Sequence, residues 1–172
     1  MSRLDSAGNE TLATAVIDGL EFARHGHRLA GRIAISDLPR LADVLASDRG
    51  EVACQVIGER DREGKHFLVL EIDGRIGLRC QRCLGEVAEP LHIVSRLLLM
   101  PAGQAWPDDE LVEDGYDAVE AGKEMALLPL IEEEVLLALP IAPKHASCDA
   151  PAPTIDEQAP SPFAVLAKLK KT

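Results

Sequence analysis

The sequence predicts an α+β protein: a small antiparallel β-sheet, or a partly open barrel, crossed by a C-terminal helix. Two patterns predict this class. Between residues 27 and 100, apolar residues alternate with polar ones in several short runs that turn residues separate, as in neighbouring antiparallel strands. Between residues 124 and 139, apolar residues recur at helical spacing, with Pro129 near the first turn and Pro140 at the end.

The first predicted elements are a short helix, a strand and a second short helix. Residues 16–23 predict a short helix, and the alternation over residues 27–35 predicts the first strand. Ser36 is a favourable N-cap and Pro39 is tolerated in a first helical turn, so residues 36–46 predict a short amphipathic helix.

Four further runs predict the remaining strands: residues 51–57, 66–72, 75–80 and 90–100. The dipeptide Asp73-Gly74 is a strong hairpin signal and predicts a tight turn between the second and third of these runs. Residues 101–123 are rich in Gly, Pro and acidic side chains and predict a long exposed loop.

The length of 172 residues accommodates one domain with tails. We expect residues 1–15 to be a flexible lead-in and residues 16–148 to form the single domain. Residues 149–160, rich in Pro and Ala, predict a linker, and residues 161–172 predict a short C-terminal helix and tail that dock onto the domain.

Acidic residues are concentrated in one short window. The chain has 18 basic and 29 acidic residues, a net charge of −11, and residues 107–134 hold one of the basic and 11 of the acidic residues. A protein that coats nucleic acid presents a broad basic face to the phosphates, so this composition argues against such a role. It favours a basic protein partner, and the candidate partner-binding residues are the acidic ones of the predicted loop: Asp108, Asp109, Glu110, Glu113 and Asp114.

Aromatic side chains are scarce. Phe, Trp and Tyr make up 3% of the chain, whereas proteins that read single-stranded RNA usually stack bases on such rings. Direct, sequence-specific RNA reading is therefore disfavoured.

Neither a membrane span nor a secretory signal is predicted. The longest apolar runs stop far short of the roughly 20 residues that a span needs, and Asp5, Glu10 and Asp18 lie close to the N-terminus. We therefore expect a cytoplasmic protein, whose four cysteines are reduced thiols or metal ligands rather than disulfides.

A CxxC motif at Cys80 and Cys83 is the sharpest local signal, and three interpretations are open. A redox pair needs the cysteines at the start of a helix, whereas a predicted strand precedes them. A zinc site needs further ligands, which His145 and Cys148 supply, since zinc takes four nitrogen or sulfur ligands. In the third interpretation, which the residues alone favour, Cys80 packs in the core, Cys83 shapes the turn and neither binds anything. Cys54 lies on the apolar face of its strand and predicts a buried small hydrophobe.

Three consecutive glutamates lie on the predicted C-terminal helix. Glu132 and Glu133 predict a solvated face, because adjacent helical side chains point about 100° apart and do not converge on one proton. Glu134 falls on the apolar side and is expected to pair with Arg79 or Arg82.

Few other residues indicate a binding or catalytic site. The densest basic set predicts a solvated sheet face, with a small phosphate-contacting patch as the alternative: Arg60, Arg62, Lys65, Arg75, Arg79 and Arg82. The sequence has no P-loop, GxGxxG, HExxH or serine-elbow motif, so we expect no enzyme and name no catalytic residue.

Four motifs, in this order and spacing, resemble the YceD family, described as large-subunit ribosomal RNA accumulation proteins. They are Leu29-Ala30-Gly31-Arg32-Ile33 followed by Asp37-Leu38-Pro39-Arg40-Leu41, then Cys80-Gln81-Arg82-Cys83-Leu84, then LPLIEEEVLLALPI at residues 128–141 followed by Pro143, His145 and Cys148, and finally Ser161-Pro162-Phe163-Ala164-Val165-Leu166. The resemblance covers about residues 16–170.

The resemblance implies a non-enzymatic role in the synthesis, processing or stability of large-subunit rRNA in the bacterial cytoplasm, and it brings no catalytic residue. Because ribosomal proteins are basic, the acidic window favours an accessory factor that binds a basic protein of the large ribosomal subunit or an rRNA–protein surface. The alternatives are a zinc-stabilised module without a ribosomal role and a thiol oxidoreductase. Some family members have a cysteine-rich C-terminus, whereas this sequence has only Cys148 with His145 there.

Overall fold

β-strands predominate in the computed structural model, which describes residues 12–104 and 116–150. In chain order the elements are β1 (Val16–Ile17), α1 (Gly19–Arg24), β2 (Arg28–Ala34), β3 (Leu45–Ser47), β4 (Glu51–Arg60), β5 (His66–Arg79), β6 (Glu86–Pro101), β7 (Asp117–Ala121), β8 (Met125–Ala126) and α2 (Leu127–Ala138). Two short 3₁₀ turns, Ile35–Asp37 and Pro39–Leu41, lie between β2 and β3.

Six of the described strands form one open sheet. β2, β4, β5, β6 and β7 lie side by side in that order, and β3 pairs with the end of β5. Every pairing is antiparallel except that of β6 with β7, which is parallel. The short strands β1 and β8 form a separate antiparallel pair. The predicted α+β class is confirmed, and within the described ranges the sheet stays open rather than closing into a barrel.

The core lies on one face of this sheet, under the helices and the 3₁₀ turns. Alternate side chains of the central strand β5 point to it and are fully buried, for example Leu68, Leu70 and Ile72. α1 packs against β4 and β5, and α2 packs against β6. The apolar stripe predicted for α2 is buried in this layer at Leu127, Ile131 and Val135.

β5 is one uninterrupted strand, so the hairpin predicted at Asp73-Gly74 is wrong. Gly74 lies in mid-strand, paired with Val52 on β4 and with Leu91 on β6. A Cβ atom at Gly74 would lie 2.9 Å from Cγ1 of Val52. The glycine therefore allows two strands to approach closely and makes no turn.

The helix predicted for residues 36–46 is also wrong, because this segment forms the two 3₁₀ turns and then β3. Leu38 has φ −109° and ψ 77°, outside the helical region. The ring of Pro39 disfavours helical dihedrals in the residue before it, and a continuous helix cannot pass this point. Leu38 and Leu41 are nevertheless buried, so the apolar spacing correctly marked the core.

Both helices begin later than predicted. α1 begins after Asp18, whose carboxylate accepts a hydrogen bond from the N–H of Glu21 at 3.1 Å. The residues before each helix, predicted as its first turn, pair with each other as β1 and β8. Within the described ranges, neither helix is long and apolar enough to cross a membrane.

Two segments predicted as loose are ordered in part. Leu12, from the predicted lead-in, is 1% exposed. The end of the predicted 101–123 loop forms β7, which pairs along β6 through backbone hydrogen bonds that need no strong apolar pattern. The rest of that loop (105–115), the start of the lead-in (1–11) and the predicted linker and C-terminal helix after residue 150 lie outside the described residues.

Candidate metal centre

The first half of the site is the loop that joins β5 to β6, here called the CxxC loop (residues 80–85). Pairing of the two strands ends at Arg79 and Glu86. The N–H of Cys80 donates to the carbonyl of Gly85 at 2.8 Å, and the N–H of Leu84 donates to the carbonyl of Cys80 at 3.0 Å. The long strands on both sides and these internal hydrogen bonds give the loop a fixed shape.

The second half is the segment after α2, here called the C-terminal arm (residues 139–150), which has no regular secondary structure. The N–H of Gln81 donates to the carbonyl of Pro143 at 2.9 Å. The guanidinium of Arg82 donates to the carbonyl of Cys148 at 3.2 Å. These two contacts lay the arm across the CxxC loop.

Four predicted metal ligands meet where the loop and the arm cross. The side-chain donor atoms of Cys80, Cys83, His145 and Cys148 all lie within 4.8 Å of one another. Sγ of Cys80 is 3.8 Å from Sγ of Cys148, and Sγ of Cys83 is 3.4 Å from Nδ1 of His145. Cys80 is fully buried, and the other three are half-buried. The fold thus brings together residues that are up to 68 positions apart in the chain.

The ring of His145 is oriented by its other nitrogen. Nε2 donates a hydrogen bond to the carbonyl oxygen of Glu86 at 2.8 Å. On this contact we assign the proton to Nε2, which leaves the lone pair of Nδ1 directed at the sulfur atoms. A second hydrogen bond of this kind is typical of metal-ligating histidines.

The electrostatics of the cluster favour a cation. Hydrogen bonds from the backbone amide of Cys83, and then from those of Arg82 and His145, outweigh burial and lower the pKa of the Cys80 thiol to about 5. Burial and the neighbouring side chains of Cys80 and Cys83 raise the pKa of Cys148. Cys80 is therefore poised as a thiolate, and a second thiolate beside it requires a compensating positive charge. A metal ion would supply that charge.

Of the three interpretations of the CxxC motif, the geometry favours the metal site. The loop follows a strand and precedes a strand, so no helix N-terminus acts on the thiols as a redox pair requires. Cys80 is buried as the core-and-turn interpretation predicts, but that interpretation does not explain why His145 and Cys148 converge on it. The cluster could hold a metal ion. Cys54 is a buried free thiol, as predicted.

The glutamates of α2 have partners that the sequence did not predict. Glu134 accepts a hydrogen bond from the hydroxyl of Ser95 on β6, so its predicted pairing with an arginine is wrong. Glu132, predicted to be solvated, is 4% exposed and accepts the N–H of Arg40 at 2.6 Å. Glu133 forms an ion pair with the same arginine. These carboxylates fix α2 to the sheet and to a 3₁₀ turn; helical periodicity carries no signal for such partners.

Within the described part of the chain, the other predicted site residues do not form a second candidate site. The five acidic candidates for partner binding, Asp108, Asp109, Glu110, Glu113 and Asp114, lie outside the described residues. Within the basic set, Lys65 pairs with Glu63, and Arg79 donates to the carbonyl of Leu45 at 3.5 Å. These two cations are engaged by the protein's own groups.

An open sheet with one covered face and a Cys₃His cluster at the end of its longest hairpin defines a small α+β domain with a candidate metal centre. The family model described as "Large ribosomal RNA subunit accumulation protein YceD" matches residues 68–170, and the chain belongs to this family. The match begins in β5 and includes both halves of the centre. A curated relative from Haemophilus influenzae, named Large ribosomal RNA subunit accumulation protein YceD, is 25% identical over 167 residues, which cover 90% of this chain and 94% of the relative. No solved structure matches the chain.

Proposed function

We propose that this protein is a non-enzymatic accessory factor in the synthesis, processing or stability of large-subunit (23S-type) rRNA, and that it acts in the cytoplasm through a basic protein of the large ribosomal subunit. One observation carries the proposal: the chain belongs to the YceD family, whose description is the accumulation of large ribosomal RNA. Family membership supports the role in accumulation. The protein partner and the absence of catalysis are our own further steps.

The described polar side chains support a non-catalytic role. The carboxylates of Glu132 and Glu134 bind α2 to the rest of the domain. The metal-ligand cluster has four protein donors, which is the number that fills a structural site, whereas catalytic zinc sites keep three protein ligands and an open position for water or substrate.

The distribution of charge supports a basic protein partner. Within the acidic window, Asp117, Glu120 and Glu124 are exposed in the structure, on and next to the edge strand β7. Glu132 and Glu134 belong to the same window but are already engaged in internal contacts. Among the described residues, the acidic surface open to a partner therefore lies on and next to β7. Such a surface attracts basic proteins and speeds their encounter.

A zinc-stabilised module without a ribosomal role is the alternative. The cluster is compatible with both functions, since a structural metal site stabilises a domain whatever the domain binds. Family membership gives no support to a role apart from the ribosome, so we do not favour this alternative.

The role in rRNA accumulation is tested by deleting the gene and measuring the ratio of large-subunit to small-subunit rRNA. We expect a lower ratio that the intact chain restores. An unchanged ratio under conditions of rapid growth would refute the role.

The protein partner is tested by affinity purification of the tagged chain at several salt concentrations. We expect a basic large-subunit protein whose recovery falls as salt rises, because screening shortens the range of attraction. Reversing Asp108, Asp109 and Glu110 to lysine should slow association by about tenfold. The matched control reverses three exposed acids elsewhere to lysine, with the same change in charge: Asp37, Asp43 and Asp48. Equal loss in both variants, or recovery of rRNA without a protein, would contradict the proposal.

The second part of the proposal is that the metal is zinc. Zn²⁺ binds three sulfurs and one nitrogen tetrahedrally, at about 2.3 Å and about 2.0–2.1 Å respectively. A tetrahedron of this size places two sulfurs about 3.8 Å apart, and a sulfur and a nitrogen about 3.6 Å apart. The structure has 3.8 Å between the sulfurs of Cys80 and Cys148, and 3.4 Å between Cys83 Sγ and His145 Nδ1. Both distances lie close to the edges of such a tetrahedron, which supports zinc as the ion.

Elemental analysis of the purified protein tests this part. We expect about one zinc per chain, lost when Cys148 is replaced by serine and kept when the nearby Ser147 is replaced by alanine. Protein that contains no zinc after purification with added ZnCl₂ and a reductant would show that the cluster is only a group of thiols.

A further inference from the structure

The two halves of the metal centre are attached to the protein in very different ways. The CxxC loop connects β5 and β6, whose residues pair without interruption from Phe67 and Leu98 to Arg79 and Glu86. This pairing is extensive and is part of the core sheet. The sheet therefore holds the loop's two ligands, Cys80 and Cys83, whether or not a metal is present.

The C-terminal arm has few contacts of its own. Pro143 is buried in it, whereas most other residues between 141 and 150 are exposed, and Ile141 is completely so. Apart from the contacts with the thiols, two hydrogen bonds join the arm to the CxxC loop and one joins it to Glu86. A segment with so little buried apolar surface and such accessible hydrogen bonds opens readily. The arm's two ligands, His145 and Cys148, are therefore not held in place by packing.

We propose that a zinc ion bound by Cys80, Cys83, His145 and Cys148 clamps the C-terminal arm to the β5–β6 hairpin, so that the order of the arm depends on the metal and the order of the sheet does not. This inference rests on the zinc part of the proposed function. Each half supplies two ligands, so the ion joins the halves directly. Because metal binding to the folded state is linked to folding, its stabilisation falls on the part that is otherwise free to open, which is the arm.

Limited digestion with trypsin reports on the arm at one defined position. Lys144 lies exposed in the arm, immediately before the ligand His145. Trypsin needs a locally unfolded segment around the bond that it cuts. Arg49 is exposed between β3 and β4, in neither half of the centre, and serves as the internal control in the same digest. We expect chelation of the zinc-loaded protein to raise the rate of cleavage after Lys144 by about tenfold or more, with cleavage after Arg49 unchanged.

Variants of the metal ligands show whether faster cleavage comes from loss of the clamp or from a local effect of the chelator. Cys83→Ser lies on the hairpin and does not alter the arm's sequence, yet it should raise cleavage after Lys144 as chelation does. His145→Ala should do the same from the arm's side, and Ser147→Ala should leave cleavage slow. The circular dichroism spectrum of all three should keep the strand signal of the intact protein.

The outcomes distinguish the clamp from the zinc proposal. Bound zinc with the same slow cleavage after Lys144 before and after chelation would overturn the clamp and leave the zinc site standing. Protein that binds no Zn²⁺ would overturn both. Loss of the strand signal on chelation would also overturn the clamp, because the sheet itself would then depend on the metal.

Discussion

Replacing Gly58 with alanine should destabilise the protein by about 1–3 kcal/mol. Gly58 lies on β4 directly beneath α1, where its N–H donates to the carbonyl of His27 at 2.9 Å. A Cβ atom at this position would lie 2.5 Å from the carbonyl oxygen of Phe22 and 2.7 Å from Cα of Ala23. Ordinary contacts begin at 3.4 Å, so α1 would have to retreat by the difference of 0.9 Å. The obstructing atoms are backbone atoms, which cannot rotate away as a side chain can.

Two limits define the size of this effect. If α1 stays docked, inserting one methyl group into a packed region costs about 1–3 kcal/mol. If α1 detaches instead, Phe22 and Ala23, now 7% and 1% exposed, become solvated. Exposing these side chains costs about 3 kcal/mol. The two limits give a loss of about 1–3 kcal/mol. A loss of about 3 kcal/mol lowers Tm by about 6–12 °C in a chain of this size.

The assay is thermal and urea unfolding followed by circular dichroism. Gly122→Ala is the matched control, because its Cβ would meet no atom closer than the backbone nitrogen of Glu124 at 3.8 Å. The control should change stability by less than about 0.5 kcal/mol. Equal stability of both variants would refute the close approach of α1 to β4.

Three further predictions concern single side chains. Burial raises the pKa of the Cys54 thiol to about 12, so iodoacetamide should label Cys54 in the chelated protein more slowly than the other thiols; equal rates by mass spectrometry would contradict its burial. Nδ1 of His92 donates a hydrogen bond to the carboxylate of Asp73 at 2.6 Å, and this bond raises the pKa of His92. The contribution of the pair to stability is therefore complete below the ordinary pKa of about 6.5 and is lost as pH rises through the raised pKa. An NMR titration of Asp73→Asn should return His92 to its ordinary range, and an unchanged titration would exclude the pairing. Glu134→Ala and Ser95→Ala should each cost about 1–3 kcal/mol, and the double variant less than their sum. Additive losses in urea unfolding would show that the two residues do not interact.

Local sequence correctly predicted the strands and helices whose apolar pattern matches the side that they bury in the fold. The alternation around Ile33 predicts β2, and the strand is found with Ile33 completely buried. Helical spacing predicts a stripe of Leu127, Leu128, Ile131, Val135 and Ala138. In α2 the first, third and fourth of these are buried, whereas Leu128 is half-buried and Ala138 is exposed. The residue types and spacing of the CxxC and HxxC motifs were likewise sufficient to nominate all four candidate metal ligands.

Predictions from local sequence were wrong where a residue's role depends on a partner from a distant part of the chain. Asp73-Gly74 is a turn signal by itself, but Gly74 serves the close approach of Val52 from the adjacent strand. Helical periodicity predicts that Glu132 is solvated, yet its carboxylate accepts the backbone N–H of Arg40, which is 92 positions away. In each case the deciding partner comes from a distant part of the chain.

The sequence by itself therefore determined the fold class and the buried side of individual elements, and it named four candidate metal ligands without deciding whether they bind a metal. Only the tertiary structure decided that β5 runs unbroken and that the CxxC loop and the C-terminal arm meet. The physical reason is the distance along the chain over which each kind of information acts. Apolar periodicity reports which side of an element is buried, and that property is local. Cys80 and Cys148 lie 3.8 Å apart because the β5–β6 hairpin ends close to the segment that follows α2. The positions of both depend on the packing of the whole core.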